Sequence, residues 1–270
     1  MKVAAVQLVS TPDWSATRDA AARLVRQAAA AGAVLVALPE YFCVMGQRDT
    51  DKLALAEAPG AGPIQDFLAA TARDCGVWLV GGTLPLRSDV PGQVFNRCCV
   101  FAPDGTEAAH YDKVHLFAFD NGRESYDEGR TLQAGAATAA LDVTAKDTTL
   151  RVGLSICYDL RFPELYRELM HPPCDLICVP AAFTHTTGRA HWELLLRARA
   201  VENQCYVLAA AQGGTHPNGR RTWGHSMVVD PWGDVMAVCD EGEDVVVAEL
   251  DPARIAQVRL QLPALAHRRL

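Results

Sequence analysis

The chain has 270 residues, half of them hydrophobic and 21% charged, with a formal net charge of -7. That length and mix suit a single α/β domain over residues 1–270 built round one core, and they exclude a disordered or fibrous chain. No basic stretch exceeds the terminal His267-Arg268-Arg269, which argues against nucleic-acid partners, and no apolar run reaches the roughly 18 to 20 residues of a membrane span.

In chain order, MKVAAVQLVS is interrupted by Gln7 and followed by polar, Pro-containing sequence, so it reads as a first β-strand rather than a signal peptide and points to a cytoplasmic protein. A helical pattern follows over 15–31, then the strand AVLVALPE, a helix over 63–75 with Pro63 in its first turn and Gly76 just past its end, and the strand VWLVGGTL. Strands alternating with helices argue α/β. The runs VFNRCCVFAP and TEAAHYDKVHL flank Asp104-Gly105, a hairpin signal, which makes the sheet mixed. Residues 116–138 lack periodicity and read as a long loop of the kind that often carries function. The rhythm then returns: strand LRVGLSIC, helix PELYRELM, strand DLICVPAAF, helix AHWELLLRARAVENQ, and the strands CYVLAAAQ, GHSMVVD, DVMAVC and DVVVAEL, with a turn at Pro231-Trp232-Gly233. The two halves share this pattern without a residue-level repeat. Most of the nine cysteines sit in apolar runs (Cys98, Cys99, Cys178, Cys205, Cys239), as buried thiols do in a reducing compartment. Cys174 and Cys178 lack the second pair a zinc site needs.

Three polar residues end or interrupt apolar strands: Glu40 closes AVLVALPE, Lys113 lies in HYDKVHL and Cys157 closes RVGLSIC. Strand C-terminal ends are where α/β sheets present reactive groups. A thiol there can attack an acyl carbon if a base takes its proton and a cation favours the thiolate, and a carboxylate and an ammonium supply both. Singly, each has an ordinary reading as a salt-bridged Glu, an edge Lys or a buried Cys, and their separation in sequence does not assemble them.

The segments LPEYF, YDKVHLF and GLSICYDLRFPEL, in that order, resemble the three catalytic motifs of the nitrilase (carbon-nitrogen hydrolase) superfamily. The resemblance extends through HWELLLRARAVENQCYV, GHSMVVDPWG and LPALAHRR, and so covers essentially the whole chain. It implies a four-layer αββα sandwich with mixed sheets, with Cys157 as nucleophile, Glu40 as general base, and Lys113 with the backbone N–H of Tyr158 holding the oxyanion. A thioester would form, ammonia would leave, and no metal or organic cofactor would take part. A second glutamate of the family falls in YDEGRTLQAG at Glu128, preferred over Glu124 by its distance to Gly135.

Within the superfamily the chain resembles the Nit branch, through YDLRFPEL, HWELLLRARA and GHSMVVDPWG. That resemblance implies a small amide bearing a free carboxylate, deaminated glutathione first and the 2-oxo acid amides of an ω-amidase as the alternative, with a catalytically silent binding protein as the reading of another class. Arg161 is placed to grip the carboxylate bidentately, unless it pairs with Glu164 at i,i+3. Phe183 and Thr187 would line the pocket, and the family's habit of pairing implies a homodimer or larger homo-oligomer. Other motifs weaken: Gly224-His225-Ser226 lacks the closing Gly of a serine elbow, His185 and His191 lack companion ligands, and Gly81-Gly82 is no dinucleotide fingerprint.

Overall fold

The structure is a computed structural model that describes residues 1–269. Its first half carries strands β1 (Lys2–Gln7), β2 (Leu35–Ala37), β3 (Trp78–Val80), β4 (Leu84–Arg87), β5 (Val94–Phe101) and β6 (Glu107–Asp112), a small hairpin of β7 (Ala118–Asp120) and β8 (Ser125–Asp127), and β9 (Leu132–Gln133). The second half carries β10 (Ala139–Ala145), β11 (Thr148–Leu154), β12 (Leu176–Ala181), β13 (Tyr206–Ala211), the hairpin of β14 (Gly213–Thr215) and β15 (Arg221–Trp223), then β16 (Met227–Val229), β17 (Val235–Val238) and β18 (Asp244–Glu249). Five α-helices are described, α1 (Trp14–Ala30), α2 (Pro63–Cys75), α3 (Pro163–Glu168), α4 (His185–Asn203) and α5 (Pro252–Gln261).

Two mixed sheets result. One runs β18-β1-β2-β3-β5-β4, with β6 and β9 also on β5; the other runs β10-β11-β12-β13-β16-β17. In each, an antiparallel edge strand precedes three parallel strands and two antiparallel ones follow, so the halves share one pairing pattern.

Period-2 alternation builds the layers. On β1, Val3 and Ala5 face the second sheet while Ala4 and Val6 face α1, and Cys98 and Cys99 on β5 divide in the same way. Leu24, Val25 and Ala28 of α1 and Ile64, Leu68 and Ala72 of α2 cover the outer face of the first sheet. Trp192, Leu196 and Ala200 of α4 pack with the second sheet. Strands β12 and β13 are buried along their whole length, which explains their unbroken apolar sequences. The four-layer αββα arrangement inferred from the motifs is the one formed.

The sheets are joined where β1 and β13 end: Gly213 N–H donates to Leu8 C=O at 2.8 Å, and the Gln7 side chain accepts from Ser226 N–H at 2.8 Å. Ser226, the centre of the apparent serine elbow, is thus a buried joint whose hydroxyl accepts from Ala211 N–H at 2.9 Å. Among the described residues no helix is long and apolar enough to cross a membrane.

Several elements differ from expectation. VWLVGGTL divides into β3 and β4, because Gly81 and Gly82 turn the chain between them. The expected loop over 116–138 holds the β7–β8 hairpin, whose short strands carry no long apolar pattern. Helix α4 begins at His185 rather than near Ala190, because Thr184 caps it by accepting from Thr187 N–H. Strand β10 and helix α5 were not expected, since their core contacts are few: only Val143 is buried in β10, and Ile255 and Val258 in α5.

Gly82 ties the fold to the site. It has φ +60°, and a Cβ there would stand 2.2 Å from the Pro39 carbonyl oxygen, next to Glu40. Gly82→Ala is expected to cost about 1–3 kcal/mol, read as a lowered denaturant midpoint, and to reduce turnover by shifting Glu40.

Candidate active site

Glu40, Lys113 and Glu128 come from the first sheet and its loops, and Cys157 from the second. Glu40 follows β2 through Leu38-Pro39, and Lys113 stands just past β6 rather than within a strand. The Lys113 N–H donates to Asn96 C=O at 3.1 Å, and its carbonyl accepts from Gly135 N–H at 2.9 Å. The side chain therefore points inward from a fixed backbone, and its ammonium is fully buried.

Lys113 Nζ lies 2.7 Å from Glu40 Oε1 and 2.7 Å from Glu128 Oε2. Asn96 Nδ2 also donates to Glu40 Oε1, at 2.9 Å. Glu128 accepts from the Tyr41 hydroxyl at 2.7 Å and from Phe117 N–H at 2.7 Å. One ammonium with three donors thus serves two carboxylates.

Their environments separate them. Burial pushes Glu40 up and the nearby Glu128 adds to this, so that Lys113 only partly offsets the rise and the carboxyl sits above the usual carboxylate range. Burial also acts to raise Glu128, but Lys113, Phe117 N–H and Tyr41 outweigh it and hold that carboxyl below the range. For Lys113 the two carboxylates overcome burial and keep the ammonium charged. A permanent anion and a carboxyl with raised proton affinity, side by side, are the arrangement that acid–base work requires.

Cys157 lies past β11, at the start of a 3-10 turn over Cys157–Arg161, with φ 48°. Few non-glycine residues adopt that conformation, and here it brings the thiol to the cavity that Glu40 also lines. Burial and the negative charge of Glu40 push the thiol well above its ordinary value, against Lys113. The raised pKa keeps this thiol protonated at rest. The Tyr158 N–H belongs to the first turn, where donors lack intrahelical acceptors.

Asp159 holds this turn. Fully buried, it accepts from Ile156 N–H at 2.8 Å, the Tyr111 hydroxyl at 2.8 Å and His115 N–H at 3.0 Å, with His115 Nδ1 at 2.8 Å. Arg199, also buried, donates from Nη2 to Leu160 C=O at 2.8 Å.

Two cavities meet at the site. The smaller is lined by Glu40, Cys157, Tyr158, Arg161, Phe183 and Thr187, together with Phe117, Glu128 and Arg220. The larger, of ≈ 470 Å³, shares Phe117, Glu128 and Arg220 and extends past Tyr41 and Tyr126. The Arg161 guanidinium stands 5.4 Å from the Phe183 ring centroid, with Nη1 3.3 Å from His191 Nδ1. Among the described residues no ion pair joins it to Glu164, which is exposed.

The carbon-nitrogen hydrolase family model matches residues 2–260. The chain belongs to this family. It is 42% identical over 98% of its length to a deaminated glutathione amidase of Synechocystis sp., covering 97% of that protein. It is 38% identical to omega-amidase NIT2-A of Xenopus laevis, over 99% of this chain and 95% of that one. The C. elegans NitFhit protein superposes with a TM-score of 0.87 at 38% identity, over 99% of this chain and 65% of that one. Membership makes the protein a hydrolase of carbon–nitrogen bonds, an amidase.

For this carbon-nitrogen hydrolase, the structure brings together the residues singled out in sequence: Glu40, Lys113, Glu128, Cys157, Tyr158, Arg161, Phe183 and Thr187 all border the site. Glu124 lies apart, accepting from the Thr186 hydroxyl at 3.2 Å. Asn96, Tyr41, Asp159 and Arg220 escaped sequence reasoning. Asn96 could have been found, as a polar residue on the face of β5 that carries Cys98 and Val100, and Asp159 stands inside a quoted motif. Replacing Asp159 by Asn removes the negative charge and leaves an amide donor facing N–H and O–H groups. The variant is expected to lose about 1–3 kcal/mol of stability and to fall in kcat more than it rises in KM, measured by denaturation and steady-state kinetics.

Proposed function

We propose that the chain hydrolyses a small carboxylate-bearing amide through a thioester on Cys157. Glu40 takes the thiol proton as sulfur attacks the amide carbon, which suits a thiol whose pKa is raised rather than lowered. Lys113 and the Tyr158 N–H hold the oxyanion, and preorganised donors of this kind contribute about 3–4 kcal/mol each. Glu40 returns the proton to the departing amine, the C–N bond breaks and the thioester remains. A water deprotonated by Glu40 then attacks the thioester, releasing the acid and restoring the thiol. Glu128 stays ionised and keeps Lys113 charged and aimed. The observation that carries this reading is the meeting of Glu40, Lys113 and Cys157 in one buried site with Glu40 raised.

Relatives are named for two substrate types, and we favour deaminated glutathione. Its scissile amide joins a 2-oxoglutaryl group to cysteinylglycine, so that substrate would release the dipeptide; the expected loss of ammonia belongs to the ω-amidase alternative. The ≈ 470 Å³ cavity beside Glu128 supports the longer substrate, since it lies within the ~300–1,000 Å³ range of small-molecule sites. Arg161 would bind the 2-oxo acid end in either case.

Release of cysteinylglycine from deaminated glutathione and of ammonia from α-ketoglutaramate, each with a Cys157→Ala control, tests this reading. Cys-dependent turnover is expected with both, larger with the first; turnover that survives in Cys157→Ala would overturn the mechanism. Because the base form of Glu40 is required and its pKa is raised, kcat/KM should climb with pH through an acid limb centred above 4.5, and Glu40→Gln should abolish turnover.

We also propose that two copies pair through the outer face of α4, where Leu194 is 66% and Val201 46% exposed beside Trp232 at 51%. Sedimentation velocity should give a dimer that Leu194→Asp with Val201→Asp converts to monomer, and an unchanged species would sink that assignment.

A further inference from the structure

Four cations line the larger cavity, Arg48, Lys52, Arg130 and Arg220. Three are ion-paired: Arg48 with Asp51 at 3.1 Å, Lys52 with Asp49 at 2.7 Å and Arg130 with Asp127 at 3.2 Å. Among the described residues Arg220 has no carboxylate partner. Its guanidinium stands 4.9 Å from the Tyr126 ring centroid and its Nη1 lies 3.8 Å from Met45 Sδ, while Nε is buried without a hydrogen-bond partner. An unmatched guanidinium beside a cavity is a ready site for a carboxylate, which can take two of its parallel N–H groups.

The backbone under Arg220 is fixed. In the turn between β14 and β15, its C=O accepts from His216 N–H at 2.8 Å and its N–H donates to Asn218 Oδ1 at 2.9 Å. Asn218 Nδ2 in turn donates to Gly46 C=O at 2.6 Å. The His216 ring is buried between Ser10 C=O, 2.9 Å from Nδ1, and the Thr222 hydroxyl, 2.8 Å from Nε2. A cation held on such a support needs little reorganisation to bind.

The two cavities divide the substrate. Cys157, which keeps the acyl group, lines the smaller one with Arg161 and Phe183. The larger one opens from the same centre past Tyr41 and Glu128 and is lined by neither Cys157 nor Arg161, so an acyl half held at those two residues leaves it free. The amine half therefore enters the larger cavity, and Arg220 borders both.

We propose that Arg220 binds a carboxylate at the far end of the leaving amine and so selects amides whose amine half is a short peptide with a free C-terminus. This rests on the amidase reading of the Cys157 centre. Arg220 is a specificity-determining residue and takes no part in the bond-making steps.

The test compares 2-oxoglutaryl-cysteinylglycine with its C-terminal carboxamide in wild type, Arg220→Gln and Arg220→Lys. Wild type is expected to prefer the acid by about tenfold or more in kcat/KM, expressed mainly in KM. Arg220→Gln should bring the ratio close to one, and Arg220→Lys, which keeps the charge but loses the fork, should retain part of it. A wild type without preference, or a preference equally strong in Arg220→Gln, would overturn the proposal. If Arg220→Gln does not fold, by circular dichroism, the comparison of Arg220→Lys with wild type decides in the same terms. If neither probe is turned over, the substrate reading fails, and calorimetric titration with cysteinylglycine judges the cation site alone. Binding that weakens about tenfold on loss of Arg220 would support it; equal binding or none would overturn it.

Discussion

The buried ammonium of Lys113 faces two carboxylates that cannot hold it equally, and the rest of the site follows from that competition. Glu128 has two further donors, Phe117 N–H and the Tyr41 hydroxyl, and remains an anion. Glu40 has Asn96 beside it and is left with the raised proton affinity. Removing Lys113 would do more than delete a contact, because it would leave Glu128 a buried charge without its cation, which is strongly destabilising. The same balance explains why Cys157 need not be a thiolate at rest. The carboxyl of Glu40 lines the same cavity, and the Lys113 ammonium is already paired and oriented.

What the sequence shows of this arrangement follows physical lines. The strands β12 and β13 and the helix α2 were legible because burial on both faces leaves unbroken apolar runs and because Pro63 and Gly76 mark helix ends. Strand β10 and helix α5 were not, since they touch the core through few residues and their patterns are weak. Glu40, Lys113 and Cys157 stood out as polar interruptions, yet only resemblance to a family joined them, because contacts over such separations leave no local trace. Arg220 lies at a turn between two short strands, amid Gly, Pro and Asn, where every polar residue looks like ordinary loop chemistry. Its meaning comes from the cavity around it, which no sequence pattern describes.

The shared pairing pattern of the two halves gives the site its frame. Loops that follow parallel strands of both sheets meet at one cavity: Glu40 after β2 from one, the Cys157 turn after β11 and Ala182-Phe183 after β12 from the other. Gln212, at the end of β13, donates to the Glu40 carbonyl at 3.0 Å and to the Ser10 hydroxyl at 2.7 Å. The half that bears Cys157 thereby also holds the backbone of Glu40.

Because Glu40 and Cys157 ride on different sheets, the distance between them measures how one sheet is seated on the other. Side chains at that seam, such as Val80, Cys98 and Val152, act as shims: changing the thickness of one by a methyl group tilts the sheets and moves the thiol relative to Glu40. Misplacement by about 1 Å can cost roughly a hundredfold in rate, whereas a single methyl in a core costs only about 1 kcal/mol of stability. With Glu40 and Cys157 as the proposed reacting pair, turnover is a finer gauge of the interior packing than the melting point.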